Sequence, residues 1–107
     1  SPLENDALRV LWRSDRGCRV REVHSTLKKR KRVALTSVAV ILDRLHQKKI
    51  VARTVEAGRG GGHYIYYPKK TQQEFEESIV DHATNKLINN FGPVAANYFY
   101  KRFSKKE

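Results

Sequence analysis

Five consecutive cations, Lys28-Lys29-Arg30-Lys31-Arg32, are the densest chemistry in the chain. Such a run repels itself unless an anion lies close, so its simplest partner is a polyanion; the alternative is a solvated helix end, where cations also suit the C-terminal dipole. Four more cations, Lys48, Lys49, Arg53 and Arg59, follow downstream. Between the two groups stand Thr36, Ser37, Val40 and Arg44, side chains of the types that read base edges. A hydroxyl donates or accepts, a valine meets a thymine methyl, and a guanidinium reaches a guanine edge or a phosphate. Hydroxyls at a helix start also serve as caps, and Arg44 suits a salt bridge to an acid of the first helix.

Catalytic chemistry finds little to work with. His24, His46, His63 and His82 fall on four different elements, without metal-ligand spacing or a cysteine partner. Gly58-Arg59-Gly60-Gly61-Gly62 lacks the Lys-Ser/Thr of a phosphate-cradling loop and joins two strands rather than a strand and a helix. Glu76 and Glu77 are adjacent and face different sides. The expectation is a protein that is not an enzyme and carries no metal and no cofactor. The single cysteine, Cys18, excludes an internal disulfide framework and reads as a reduced, half-buried small side chain. No apolar run approaches a membrane span and no secretory signal opens the chain, so a cytoplasmic, nucleoid-associated domain is expected.

The charge is unevenly placed. Of the 22 Lys+Arg and 11 Asp+Glu, residues 1–70 hold 17 and 6, a net of +11, while residues 71–107 hold five of each, a net of zero. A basic head and a neutral tail follow, and with them a division into 1–70 and 71–107.

The elements that must position these groups are legible from periodicity. Leu3 to Ser14 reads as a helix, with Leu3, Ala7, Leu8, Leu11 and Trp12 at helical spacing and Glu4 and Asp6 at its positive end. Asp15-Arg16-Gly17 signals a turn, and Cys18-Arg19-Val20 has the length of one rung of a sheet. A second helix spans Val20 to about Arg30, burying Val23 and Leu27. The third, Leu35 to Lys49, buries Val38, Ile41, Leu42 and Leu45 and leaves Thr36, Ser37, Val40, Arg44, Gln47 and Lys48 outside. Ile50 to Ala57 and His63 to Pro68 switch to β character around the glycine-rich tip. Tyr64 and Tyr66 share one face of their strand and Ile65 and Tyr67 the other, so tyrosine packing is expected ahead of base stacking. Two last helices, about Thr71 to Asn90 and Pro93 to about Ser104, break at Gly92-Pro93.

Helix, short strand, helix, helix, hairpin, then two helices is a mostly α chain with a small β-hairpin wing. It is the order of a winged helix-turn-helix followed by C-terminal helices, in which the third helix enters the major groove and the wing lies over an adjacent phosphate strand. Three pieces carry a resemblance: Val20-Arg21-Glu22-Val23-His24; Leu35-Thr36-Ser37-Val38 leading to Leu42-Asp43-Arg44-Leu45; and Tyr64-Ile65-Tyr66-Tyr67-Pro68. Together they resemble the penicillinase-repressor family over roughly residues 3–99, with the MarR-type winged helices as close neighbours. The resemblance implies a homodimeric repressor of a palindromic operator. The chain departs from the family in its glycine-rich hairpin tip, in Ala39 where many members carry a cation, and in lacking the cysteine-rich tail of the copper-responsive branch.

The site reading is then as follows. Thr36, Ser37, Val40 and Arg44 read bases of double-stranded DNA. Lys28, Lys29, Arg30, Lys31, Arg32, Lys48, Lys49, Arg53 and Arg59 hold phosphates, and Arg59 suits a narrow minor groove. Phe75, Ile79, Ala83 and Leu87, with Tyr98, Phe99 and Phe103, exceed what two helices can cover and are expected to meet a second copy. The rivals are an architectural protein that coats DNA without regard to sequence, and a winged helix that serves as a protein-interaction module.

Overall fold

The computed structural model describes residues 2–58 and 60–104 of the chain. It contains α1 (Pro2–Arg13), α2 (Val20–Leu27), α3 (Leu35–Gln47), β1 (Val51–Glu56), β2 (His63–Pro68), α4 (Gln72–Phe91) and α5 (Pro93–Phe103). Three helices followed by an antiparallel hairpin make a winged helix-turn-helix, as the order of sequence patterns predicts. Two compact units are present, divided between Gln72 and Gln73.

In the first unit one small core holds everything. Ala7, Leu8 and Leu11 of α1, Val23 and Leu27 of α2, and Val38, Ile41, Leu42 and Leu45 of α3 are buried together with Cys18, Val51 and Tyr66. Each helix therefore contributes the stripe that its 3.6-residue period marks out. The hairpin pairs Val51 with Pro68 through Glu56 with His63. Its register puts Val51, Arg53, Tyr64 and Tyr66 on one face, and that face turns inward at Tyr66, which is 2% exposed. Cys18 forms a bridge to Tyr66, with N–H···O bonds of 3.0 and 2.8 Å in the two directions, so the expected single rung is real. The tyrosines pack as strand alternation predicts at Tyr66, while Tyr64 and Tyr67 stay partly exposed.

Two helices end earlier than their patterns suggest. α2 stops at Leu27 rather than Arg30, and Leu27 O takes the N–H groups of Arg30 and Lys31 in a tight turn. Past Leu27 the next five residues are cations with nothing to bury, so packing no longer sustains the helix. α3 stops at Gln47 rather than Lys49. Lys49 N–H bonds to His46 O and Ile50 N–H to Leu45 O, both at 3.0 Å, with Lys49 at φ 65°. That pair of bonds is a Schellman closure with a lysine where glycine is usual, a conformation that costs an L-residue about 1–2 kcal/mol. The remaining element ends differ from the expected ones by a residue at most.

His24 Nε2 lies 2.8 Å from Val33 O, and because a carbonyl only accepts, the ring donates from Nε2. This bond ties α2 to the approach of α3 and fixes the basic turn between them. Trp12 Nε1 donates to Lys70 O at 3.0 Å and ties the end of the hairpin to α1.

In the second unit α4 and α5 bury none of their described side chains. Gly92, at φ 56°, turns the chain between them and accepts the N–H groups of Ala95 and Ala96. Phe99 contacts Tyr98 edge-on at 6.2 Å and Phe103 in a stack at 6.4 Å.

Gly17 sits where a β-carbon would lie 2.3 Å from Ile65 Cγ2 and 2.6 Å from Tyr67 Cε1. Gly17→Ala is therefore expected to destabilise the first unit by about 1–3 kcal/mol through overpacking. Urea unfolding followed by tryptophan fluorescence measures the change, and an unchanged midpoint would refute the tight seating of this turn on the wing.

Candidate nucleic-acid interface

The helix-turn-helix buries one side of α3 and leaves the other wet. Val38, Leu42 and Leu45 are fully buried and Ile41 nearly so, whereas Thr36, Ser37, Val40 and Arg44 are exposed. Residues 36, 37, 40 and 44 thus share one open face, as their spacing predicts. The residue that caps its start is Ala34, whose side chain has no acceptor to offer, and no side-chain hydrogen bond caps the helix. Thr36 and Ser37 are not engaged as caps, so the capping alternative for these hydroxyls drops away. Their side chains and the first N–H groups of the helix stay available to an incoming acceptor or donor.

The cations divide into two groups. Lys28, Lys29, Arg30 and Arg32 are exposed on the turn before α3, and among the described residues they make no ion pair. Lys49 is exposed at the far end of α3. Lys31, by contrast, meets Asp6 of α1. Lys48 meets Glu4 Oε2 at 3.0 Å. Arg53 donates to Asp43 Oδ1 at 2.7 Å and to the Tyr66 hydroxyl at 3.4 Å, and lies over the Tyr64 ring at 3.9 Å. Asp43, with help from Tyr66, raises the Arg53 pKa further above its ordinary value. Arg53 therefore braces the wing against α3, so any phosphate contact there would have to share the guanidinium with Asp43. Arg59 lies outside the described residues.

Glu4 has a bracing role beside this surface that composition and dipole arguments missed. It is only 9% exposed, and the Lys48 ammonium bonded to it lowers its pKa against the opposing effect of burial, with Arg44 adding attraction from nearby. The carboxylate thus holds the C-terminal end of α3 against α1, and Arg44 feels its field without a direct ion pair. Its position was readable: Glu4, Leu8 and Leu11 fall at i, i+4 and i+7, inside the apolar stripe rather than beside it. Arg19 and Glu56 form a further pair at 2.7 Å, and the Glu22 carboxylate accepts the Arg19 backbone N–H at 2.7 Å to start α2.

Among the described residues, no group of three or more His, Cys, Asp or Glu side chains gathers as a metal set, and no helix is long and apolar enough to cross a membrane. The family model described as Penicillinase repressor matches residues 1–107. No curated protein matches the chain.

The Glu4–Lys48 bond makes stability depend on acid. A carboxyl whose folded pKa lies below its unfolded value of about 4.5 stabilises the fold above that pH and loses the effect as pH falls through the folded pKa. Lys48 is half exposed, so the contribution is below about 1 kcal/mol. Glu4→Gln is expected to flatten this part of the stability profile between neutral pH and pH 3 in urea titrations. Identical slopes for the two proteins would remove the pair from the account.

Proposed function

The chain belongs to the penicillinase repressor family, a family of DNA-binding transcriptional repressors, and on that premise we propose that it acts as a homodimer on a palindromic operator. Residues 1–70 bind the double-stranded DNA in the cytoplasm, and residues 71–107 join two copies. The observation that carries this reading is the uncapped, exposed start of α3 set directly after the unpaired turn of Lys28, Lys29, Arg30 and Arg32. Such an arrangement lets phosphates fix the register of the helix while short side chains reach base edges.

In this reading Thr36, Ser37, Val40 and Arg44 enter the major groove. Lys28, Lys29, Arg30, Arg32 and Lys49 meet phosphate directly, and Arg59 adds a contact from the wing tip. Lys31, Lys48 and Arg53 must each share or exchange an internal carboxylate first, so their contribution to affinity is smaller. Six to eight phosphate contacts correspond to a slope of roughly −5 to −7 in log K against log salt.

The dimer reading draws on the second unit. Ile79, Leu87, Tyr98 and Phe103 are 52%, 42%, 57% and 72% exposed, Ala83 is exposed too, and Phe75 and Phe99 are half-buried. An apolar surface of this extent on a region of zero net charge calls for a cover, and a two-fold partner supplies the same surface back. Two copies of α3 would then lie about one DNA turn apart, ~34 Å. A coating protein has no need of paired reading helices, and an interaction module has no need of the unpaired cations.

Two measurements test the division of labour. Arg30→Ala and Arg59→Ala are each expected to weaken all duplexes alike and to reduce the salt slope by about one. Thr36→Ala and Ser37→Ala are expected to erode discrimination at particular base pairs by about 1–3 kcal/mol, read in competition gel shifts. If both classes of change act identically, the separation into positioning and reading residues is refuted.

Phe99→Glu is expected to convert dimers to monomers in sedimentation and to lower operator affinity sharply. A sedimentation profile unchanged by that substitution would overturn the dimer.

A further inference from the structure

The open face of α3 is not bounded by α3 alone. Leu3, in the first turn of α1, stands beside it, and Leu3, Thr36, Ser37, Val40 and Ile41 line one shallow depression on the surface. Its composition is unusual for a surface proposed to meet DNA. Val40 is 54% exposed, Leu3 is half-buried, and Ile41 forms an almost covered floor, so three aliphatic side chains are offered to the groove with hydroxyls along one edge. Two ion pairs hold the start of α1, which carries Leu3: Asp6 meets Lys31 in the turn before α3, and Glu4 meets Lys48 at the end of α3.

Its apolar character identifies its occupant. Among the base edges of a major groove the donors and acceptors are all polar, and the one aliphatic group is the C5-methyl of thymine. A polar base edge placed over Leu3, Val40 and Ile41 would lose water without gaining a hydrogen bond, which penalises the base. A methyl group there loses nothing and gains van der Waals contact. The geometry points to this depression as a thymine-methyl site. Leu3 of α1 and Val40 of α3 are its walls, and Leu3 is thereby a specificity-determining residue outside the recognition helix.

This inference rests on the DNA-binding reading above and adds to it a second helix and a chemical group. Thr36 and Ser37, on the rim, are placed to hydrogen-bond the polar edges of the same or the next base pair. Leu3 and Val40 then discriminate by what they cannot bond.

The test removes one methyl at a time from the DNA and leaves the protein intact. The full chain is titrated against a duplex isolated from random-sequence double-stranded DNA by repeated binding to it, and each thymine of one half-site is replaced singly by uracil, which differs only in the C5-methyl. Loss of one buried methyl is expected to weaken binding about fourfold at one or two positions, and about sixteenfold when both half-sites are changed. Replacing the same position by cytosine is expected to weaken binding further, and 5-methylcytosine is expected to recover part of that loss. Leu3→Ala and Val40→Ala are expected to lower affinity for the thymine duplex and to shrink the difference between thymine and uracil. Sequence-selective binding with no response to uracil at any position would overturn the thymine-methyl site and leave the repressor reading standing. A uracil effect that persists undiminished in both variants would place the methyl elsewhere and overturn the assignment to this depression. Binding with no sequence preference would overturn the repressor reading, and this inference with it.

Discussion

The burial of one side of α3 is the constraint on which the rest of the molecule depends. Val38, Ile41, Leu42 and Leu45 insert into a core of a dozen apolar side chains, and each such burial contributes about 1.5–3 kcal/mol. Once that side is committed, residues 36, 37, 40 and 44 have nowhere to go but outward. The surrounding contacts serve to keep this choice fixed. His24 holds the chain at Val33 just before the helix, Arg53 bonds Asp43 on its middle turns, and Glu4 takes Lys48 at its end. None of these is worth much as a surface ion pair or a single hydrogen bond, but together they position a helix along its whole length.

Charge is distributed to the same end. The first seventy residues carry the entire surplus of eleven positive charges, and four of their six carboxylates are placed against particular cations. Glu4, Asp6, Asp43 and Glu56 neutralise Lys48, Lys31, Arg53 and Arg19, all of which brace one element on another. Among the described residues, the turn at Lys28, Lys29, Arg30 and Arg32 is left without such relief, which is why the proposed function assigns it to phosphates. A lysine held at φ 65° closing α3 fits the same pattern: the position favours glycine, and the chain keeps a cation there at a cost to stability.

The second unit follows a different rule. Its charges cancel, and its two helices leave aliphatic and aromatic side chains exposed, the feature on which the dimer proposal rests. In the proposed function the basic unit supplies affinity and the neutral one supplies two-fold symmetry.

Much of this was legible in the residues themselves. The 3.6-residue stripes of α1, α2 and α3, the alternation around Tyr66 and the glycine-rich break between the strands determine three helices and a hairpin. Each pattern records which face of its own element avoids water, and the lone rung at Cys18 is foreshadowed by length alone. The exposed quartet on α3 follows from the same arithmetic. Helix ends were less legible, because α2 and α3 stop where burial runs out and a lysine accepts a strained conformation, not where a glycine or proline commands it. Only the tertiary structure decided which cations are already answered. Lys31 meets an acid 25 residues away and Lys48 one 44 residues away, and no periodicity connects them. The same holds for Leu3, which reads as one more core position of α1 yet stands beside Val40 at the edge of the open face. Local sequence determines how an element divides its own surface between core and water; which two divided surfaces then meet is settled by packing in three dimensions.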